Sequence, residues 1–172
     1  MERQEKLRNS VLYRGIILHE ITLLESDINS YIAAHFCGND ISKTMDMVLL
    51  FLGDERTTFS NKAQIFYYLA IHYDAQWYAA YISTRPKLPK KDPYSLNQDL
   101  VDAIEQRNVF AHRLVMTNID GGEEPFTVFL KLKNEATPIF YTDENIDSLV
   151  EQIKNIRNHL NQSEILKKSR TI

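Results

Sequence analysis

At 172 residues, with 44% hydrophobic and 25% charged residues, the chain has the length and composition of one globular domain, residues 1–172, with a proper core. A formal net charge of −3 gives no global attraction to nucleic acid, so any RNA contact has to come from a local basic patch. Cys37 is the only cysteine, which excludes an internal disulfide and suits a reducing cytosol, and the charged opening MERQEKLR contains no apolar run of signal-peptide or membrane-spanning length. The expectation is a soluble, cytoplasmic protein with no membrane partner.

The first element is a long helix over about Glu5 to Phe36, with Leu7, Val11, Leu18, Ile21, Leu24, Ile28 and Ile32 as its buried stripe and Gly38-Asn39 as its stop. Its His19-Glu20 pair either is a solvated charge on the helix flank or reaches a later helix to supply a partner for Arg107. Cys37 reads as a small core or boundary residue. A short apolar helix follows over about Ser42 to Leu52, closed by Gly53-Asp54. Ser60 then caps a third helix reaching to about Ile82. That helix is rich in aromatic residues, and Tyr73, Trp77 and Tyr81 repeat at four-residue steps. Such a stripe can stack RNA bases, but with no basic residue interleaved it fits a core or a subunit interface better.

Arg85-Pro86-Lys87-Leu88-Pro89-Lys90-Lys91-Asp92-Pro93 forbids regular structure and concentrates positive charge. It is an extended basic loop, read either as a phosphate-tracking element through Arg85, Lys87, Lys90 and Lys91 or as a solvated surface segment. A helix from about Leu96 to about Met116 comes next, opened by a Ser95/Gln98 capping box. Leu100, Val101, Ile104, Ala111, Leu114 and Val115 mark its apolar face. The next positions due on that face after Ile104 are Arg107 and Asn108, and His112 follows one turn after Asn108. Either a buried acid meets this arginine in a structural network, or the three polar groups form a site.

Beyond this helix, Asp120-Gly121-Gly122 makes a turn. Phe126, Val128, Leu130 and Leu132 then alternate with Thr127, Lys131 and Lys133 in a strand rhythm. A turn at Asn134-Glu135 and the run Pro138–Tyr141 complete a hairpin. Thr142 caps a last amphipathic helix with Ile146, Leu149, Val150, Ile153, Ile156 and Leu160 inward, and the tail Lys167–Arg170 is expected to fray. Arg157-Asn158-His159 reads as a surface run. The five histidines are scattered, with no HExxH, and no GxxxxGK[ST] or GxGxxG loop is present, so neither a metal nor a nucleotide cofactor is expected.

The order Arg107, Asn108, three residues and His112, within IEQRNVFAHRLV, resembles the R-x4-6-H motif of the HEPN superfamily, and the element order over nearly the whole chain is similar to small HEPN proteins of bacterial defence and toxin systems. The resemblance implies a mainly α fold: a HEPN-like bundle of about five helices with a small β-hairpin before the last one. It also implies metal-independent endoribonuclease activity at a composite site in a homodimer, with RNA as substrate and a cognate antitoxin as a further partner. Arg107, Asn108 and His112 are then catalytic, and Arg113 joins the basic loop in holding substrate. The chemistry suits these side chains. An imidazole with a pKa near 6.5 can take the 2′-hydroxyl proton, a guanidinium fork can hold the phosphate, and Asn108 can orient the ring. The alternative is a HEPN module that binds RNA or a protein partner without cutting.

Overall fold

Ile17, Ile21, Leu24, Ile28, Tyr31 and Ile32 recur at three- and four-residue steps and are all buried, which makes the first helix a spine for the rest of the chain. The structure, a computed structural model, describes residues 2–89, 91–112, 114–117, 127–130 and 139–170. Its elements run α1 (Glu2–Cys37), α2 (Ile41–Asp46), a π-helix (Met47–Leu52), α3 (Phe59–Tyr73), α4 (Ala75–Ala79), α5 (Leu96–His112), β1 (Leu114–Thr117), β2 (Thr127–Leu130), β3 (Ile139–Tyr141), α6 (Asp143–Leu160) and α7 (Glu164–Arg170). The protein is mainly helical, and α1 packs against α3, α5, α6 and α7. Gly38, at φ +57°, ends α1 with its N–H on the Ala34 carbonyl, a conformation that favours glycine.

Several boundaries differ from the sequence reading. The predicted third helix stops at Tyr73 and turns at Asp74 before α4, and its cap is Thr58, whose hydroxyl accepts from the Asn61 N–H, instead of Ser60. The turn breaks the four-residue register of the aromatic stripe: Tyr73 stays exposed, while Trp77 stacks on Tyr31 at 5.7 Å between ring centroids. The short helix over 42–52 divides into α2 and the π-helix. Val11, expected on the buried stripe of α1, is exposed. Residues 164–170, expected in part to fray, form α7, where the Ser163 hydroxyl accepts from the Leu166 N–H.

The largest change concerns the motif helix. It ends at His112, not Met116, and β1 begins at Leu114. The Arg14 guanidinium donates to the Ala111 carbonyl at 2.7 Å, taking up one of the acceptors a helix leaves open at its C-terminus. Leu114–Thr117 then finds its backbone partners in β2, and this pairing overrides the helical period that continued through Leu114 and Val115. The sheet has the order β1-β2-β3 and is antiparallel throughout, with Leu114 opposite Leu130 and Thr127 opposite Tyr141. The turns expected at 120–122 and 134–135, and residues Phe126, Lys131, Leu132 and Lys133, lie outside the described residues.

α6 follows its sequence signals closely. Thr142 and Asn145 form a reciprocal capping box, Asp143 and Glu144 occupy the first turn, and Ile146, Leu149, Ile153, Ile156 and Leu160 are buried. Arg157 fastens this helix to α1, with Nε 2.8 Å from Asp27 and Nη1 3.0 Å from Glu20. Glu20, which the sequence left open as a partner for Arg107, therefore serves Arg157. Of the run 157–159, Asn158 is exposed as expected but its neighbours are not: Arg157 is held by α1, the His159 ring stacks on Trp77 at 4.6 Å, its Nε2 donates to the Trp77 carbonyl, and the Trp77 indole N–H donates back to the His159 carbonyl. Among the described residues, no helix is long and apolar enough to cross a membrane.

Candidate active site

The position of the motif follows from how α5 is held. Ser95 and Gln98 open the helix with the expected reciprocal bonds, the Ser95 N–H donating to Gln98 Oε1 at 2.8 Å and the Gln98 N–H to Ser95 Oγ at 3.3 Å. Leu96, Asp99, Leu100, Ala103 and Ile104 form the inner face of its first half, and Val109 and Phe110 that of its second. Val101, expected inside, is 45% exposed. Phe110 packs on the Tyr141 ring at 4.9 Å, and the Tyr141 hydroxyl donates to Gln106, so β3 fixes the rotation of the helix at its C-terminal half.

That rotation places the three motif residues differently from the apolar-stripe reading. Arg107, one turn from both Ala103 and Phe110, is half-buried, whereas Asn108 and His112 are exposed. Asn108 and His112 lie one turn apart on the same side. Arg107 and His112, five residues apart, are separated by about 140° around the helix and about 7.5 Å along it, so the arginine must reach around the helix to meet anything the histidine touches. Among the described residues, the side chains of Arg107, Asn108 and His112 make no hydrogen bond or ion pair. Arg14, on α1, is a cation anchored to the carbonyl of Ala111, the residue before His112. The sequence reading missed it, although its seven-residue spacing to Ile21 places it on the inner stripe of α1.

The first half of α5 carries a polar group of the opposite kind. Asp99 is fully buried and accepts from the Tyr81 hydroxyl at 2.7 Å, the Ser83 hydroxyl at 2.5 Å and Arg85 Nη1 at 3.3 Å. Burial first, and the adjacent Asp99 carboxylate second, push the Tyr81 hydroxyl well above its ordinary range. Gln152 donates to the Asp99 carbonyl and to Asp102, and Asn155 donates to the Tyr81 hydroxyl and the Ile82 carbonyl. Asp99 belongs to the Leu96–Leu100–Ala103 stripe, so periodicity alone would have singled it out as a buried carboxylate.

This network corrects the reading of the basic loop. Arg85, expected to hold substrate, is committed to Asp99, approaches Asp102 at 3.7 Å, and stacks over the Tyr94 ring at 3.9 Å from the centroid. The loop is thereby pinned at its start, while Lys87 and Lys91 remain exposed. Lys90 and Arg113 lie outside the described residues. A cleft of about 270 Å³ opens beside the network, lined by Arg85, Asp102, Gln106, Tyr141, Ser148 and Glu151 among others. Its two acids outnumber a cation that is already paired, which makes it a poor seat for a phosphate. Among the described residues, no group of three or more His, Cys, Asp or Glu side chains is placed to hold a metal ion.

Compared with known families, curated proteins and solved structures, the chain matches no family model, no curated protein and no solved structure.

Proposed function

We propose that the chain is a metal-independent endoribonuclease of the HEPN type, with a HEPN-like bundle and hairpin carrying Arg107, Asn108 and His112, acting as a homodimer in a bacterial defence or toxin–antitoxin setting. One observation carries this reading. The other half-buried arginines with described side chains, Arg14, Arg85 and Arg157, are each held by a carbonyl or carboxylate, whereas Arg107 is half-buried and has no partner among the described residues. A guanidinium held partly out of water with its donors open is poised for an anion, and an exposed imidazole stands five residues further on at the same helix end.

In the reaction, the neutral His112 ring removes the proton of an RNA 2′-hydroxyl, and O2′ attacks the adjacent phosphorus. Arg107 stabilises the negative charge on the phosphoryl oxygens. The P–O5′ bond breaks, the leaving oxygen takes a proton from an imidazolium or water, and the products are a 2′,3′-cyclic phosphate and a 5′-hydroxyl. The wide angle between Arg107 and His112 suits a site completed by a second copy, in which one chain's arginine faces the other's histidine. Lys87 and Lys91 would guide the RNA backbone electrostatically.

The test is cleavage of a mixed tRNA and mRNA pool in excess EDTA by wild type, Arg107→Ala and His112→Ala, with analysis of the RNA ends. Loss in both variants and cyclic-phosphate ends in the wild type are expected. No cleavage by wild type overturns the proposal and leaves a non-cleaving binding module, and equal cleavage by the variants overturns the roles given to Arg107 and His112.

A further inference from the structure

The motif leaves the outer face of α2 and the π-helix unexplained. Ile41, Met45 and Leu49 succeed one another at four-residue steps and Leu50 and Phe51 extend the face, with all five side chains 53–67% exposed. The π-helix is what brings three consecutive apolar residues to the surface. The Gly53 N–H closes the wide turn on the Val48 carbonyl five residues back at 2.7 Å, and a Cβ at Gly53 would meet the Val48 and Leu49 carbonyl oxygens at 3.0 and 3.1 Å. Glycine is therefore the residue that fits most easily there. The turn buries Leu52 and leaves Leu49, Leu50 and Phe51 as an outward apolar edge. A patch of this kind in water marks an interaction surface.

We infer that this face is an isologous interface with a second copy of the chain, with α2 and the π-helix of one copy lying on those of the other. Area favours this occupant. At the observed exposures the five side chains offer on the order of 600 Å², so two copies bury roughly 1,200 Å², the lower bound for a specific interface. A straight stripe at four-residue steps is also the pattern with which a helix packs on a like helix. The interface is remote from the motif, since Arg14 and Cys37 lie about 35 Å apart along α1. It does not depend on the ribonuclease reading. If the motif faces also pair, two twofold contacts on one chain build a tetramer or an open array.

The test is sedimentation equilibrium over a range of protein concentrations for wild type, Leu49→Glu/Phe51→Glu and Arg107→Ala, with far-UV circular dichroism as the control for folding. The double variant should show half the wild-type mass at unchanged helicity, and Arg107→Ala should leave the contribution of this face intact. In a Cys37→Ser background, Met45→Cys should yield a covalent dimer on mild oxidation. Equal masses for wild type and the double variant, or a Met45→Cys chain that stays uncrosslinked under oxidation, overturn the proposal whatever the RNA assay shows.

Discussion

The two halves of α5 each bring a polar residue toward the protein, and they treat it in opposite ways. In the first half, Asp99 is fully buried, and two hydroxyls and a guanidinium from the preceding loop converge on its carboxylate. In the second, Arg107 is half-buried with no partner among the described residues. A buried charge that is surrounded by donors belongs to the fold, because removing it strands those donors. A partly buried charge that the fold leaves open contributes little to stability and is available to a ligand. The contrast separates a polar group that the fold uses from one that it leaves open on the same helix, which spacing alone does not.

Substitutions at the two places should break the comparison in different currencies. The largest effect belongs to the motif: His112→Ala and Arg107→Ala should each lower RNA cleavage by about 10²–10⁴-fold, read as initial rates, with helical content unchanged. Asp99→Ala should do the reverse, destabilising the protein by about 3 kcal/mol or more in urea unfolding, because three donors lose their acceptor inside the protein. Arg85→Gln is the sharper test of the loop. Urea unfolding should show a loss of about 1–3 kcal/mol from uncovering the Asp99 carboxylate, whereas a phosphate-holding Arg85 would instead raise KM with stability unchanged. Ser95→Ala, which removes half of the capping box, should cost about 1 kcal/mol in the same measurement.

The smallest effect is a pH dependence. Burial holds the His159 imidazole below the ordinary histidine range, against the opposing pull of its bond to the Trp77 carbonyl. The unfolded chain therefore binds this proton first as pH falls. The stabilisation is complete above the unfolded value of about 6.5 and is lost as pH drops through the lower folded value. Thermal unfolding of His159→Phe should show a flatter decline of Tm on acidification than the wild type. An identical decline would locate the acid sensitivity elsewhere.

Helix identity was legible wherever a long period met a chemical cap. α1 and α6 announce themselves through stripes of Ile and Leu, and Thr142 and Ser95 carry their caps in the sequence. Endings were less legible, because they are set by distant groups. α5 stops at His112 where Arg14, 97 residues earlier, takes the Ala111 carbonyl, and the residues that would have prolonged it pair with β2. The π-helix was hidden because Ser42–Leu52 has an ordinary apolar composition, and only the close approach of Gly53 to the Val48 carbonyl distinguishes the wide turn. Around the candidate site, side-chain partners were not legible. The sequence pointed to Arg107, Asn108 and His112, but it also offered Arg85 to a substrate and dismissed Arg157 and His159 as surface. Those three side chains are held by Asp99, by Glu20 and Asp27, and by Trp77, contacts that span from 14 to 137 residues of chain.

The central claim, that Arg107 is surplus to the fold, is tested most directly by the unfolding free energy of Arg107→Ala measured beside Asp99→Ala in urea. The account predicts a value within about 0.5 kcal/mol of wild type for Arg107→Ala, as for substitutions that touch no structural feature, against a large loss for Asp99→Ala. A loss of about 2 kcal/mol or more in Arg107→Ala would make the arginine part of the framework and contradict the account.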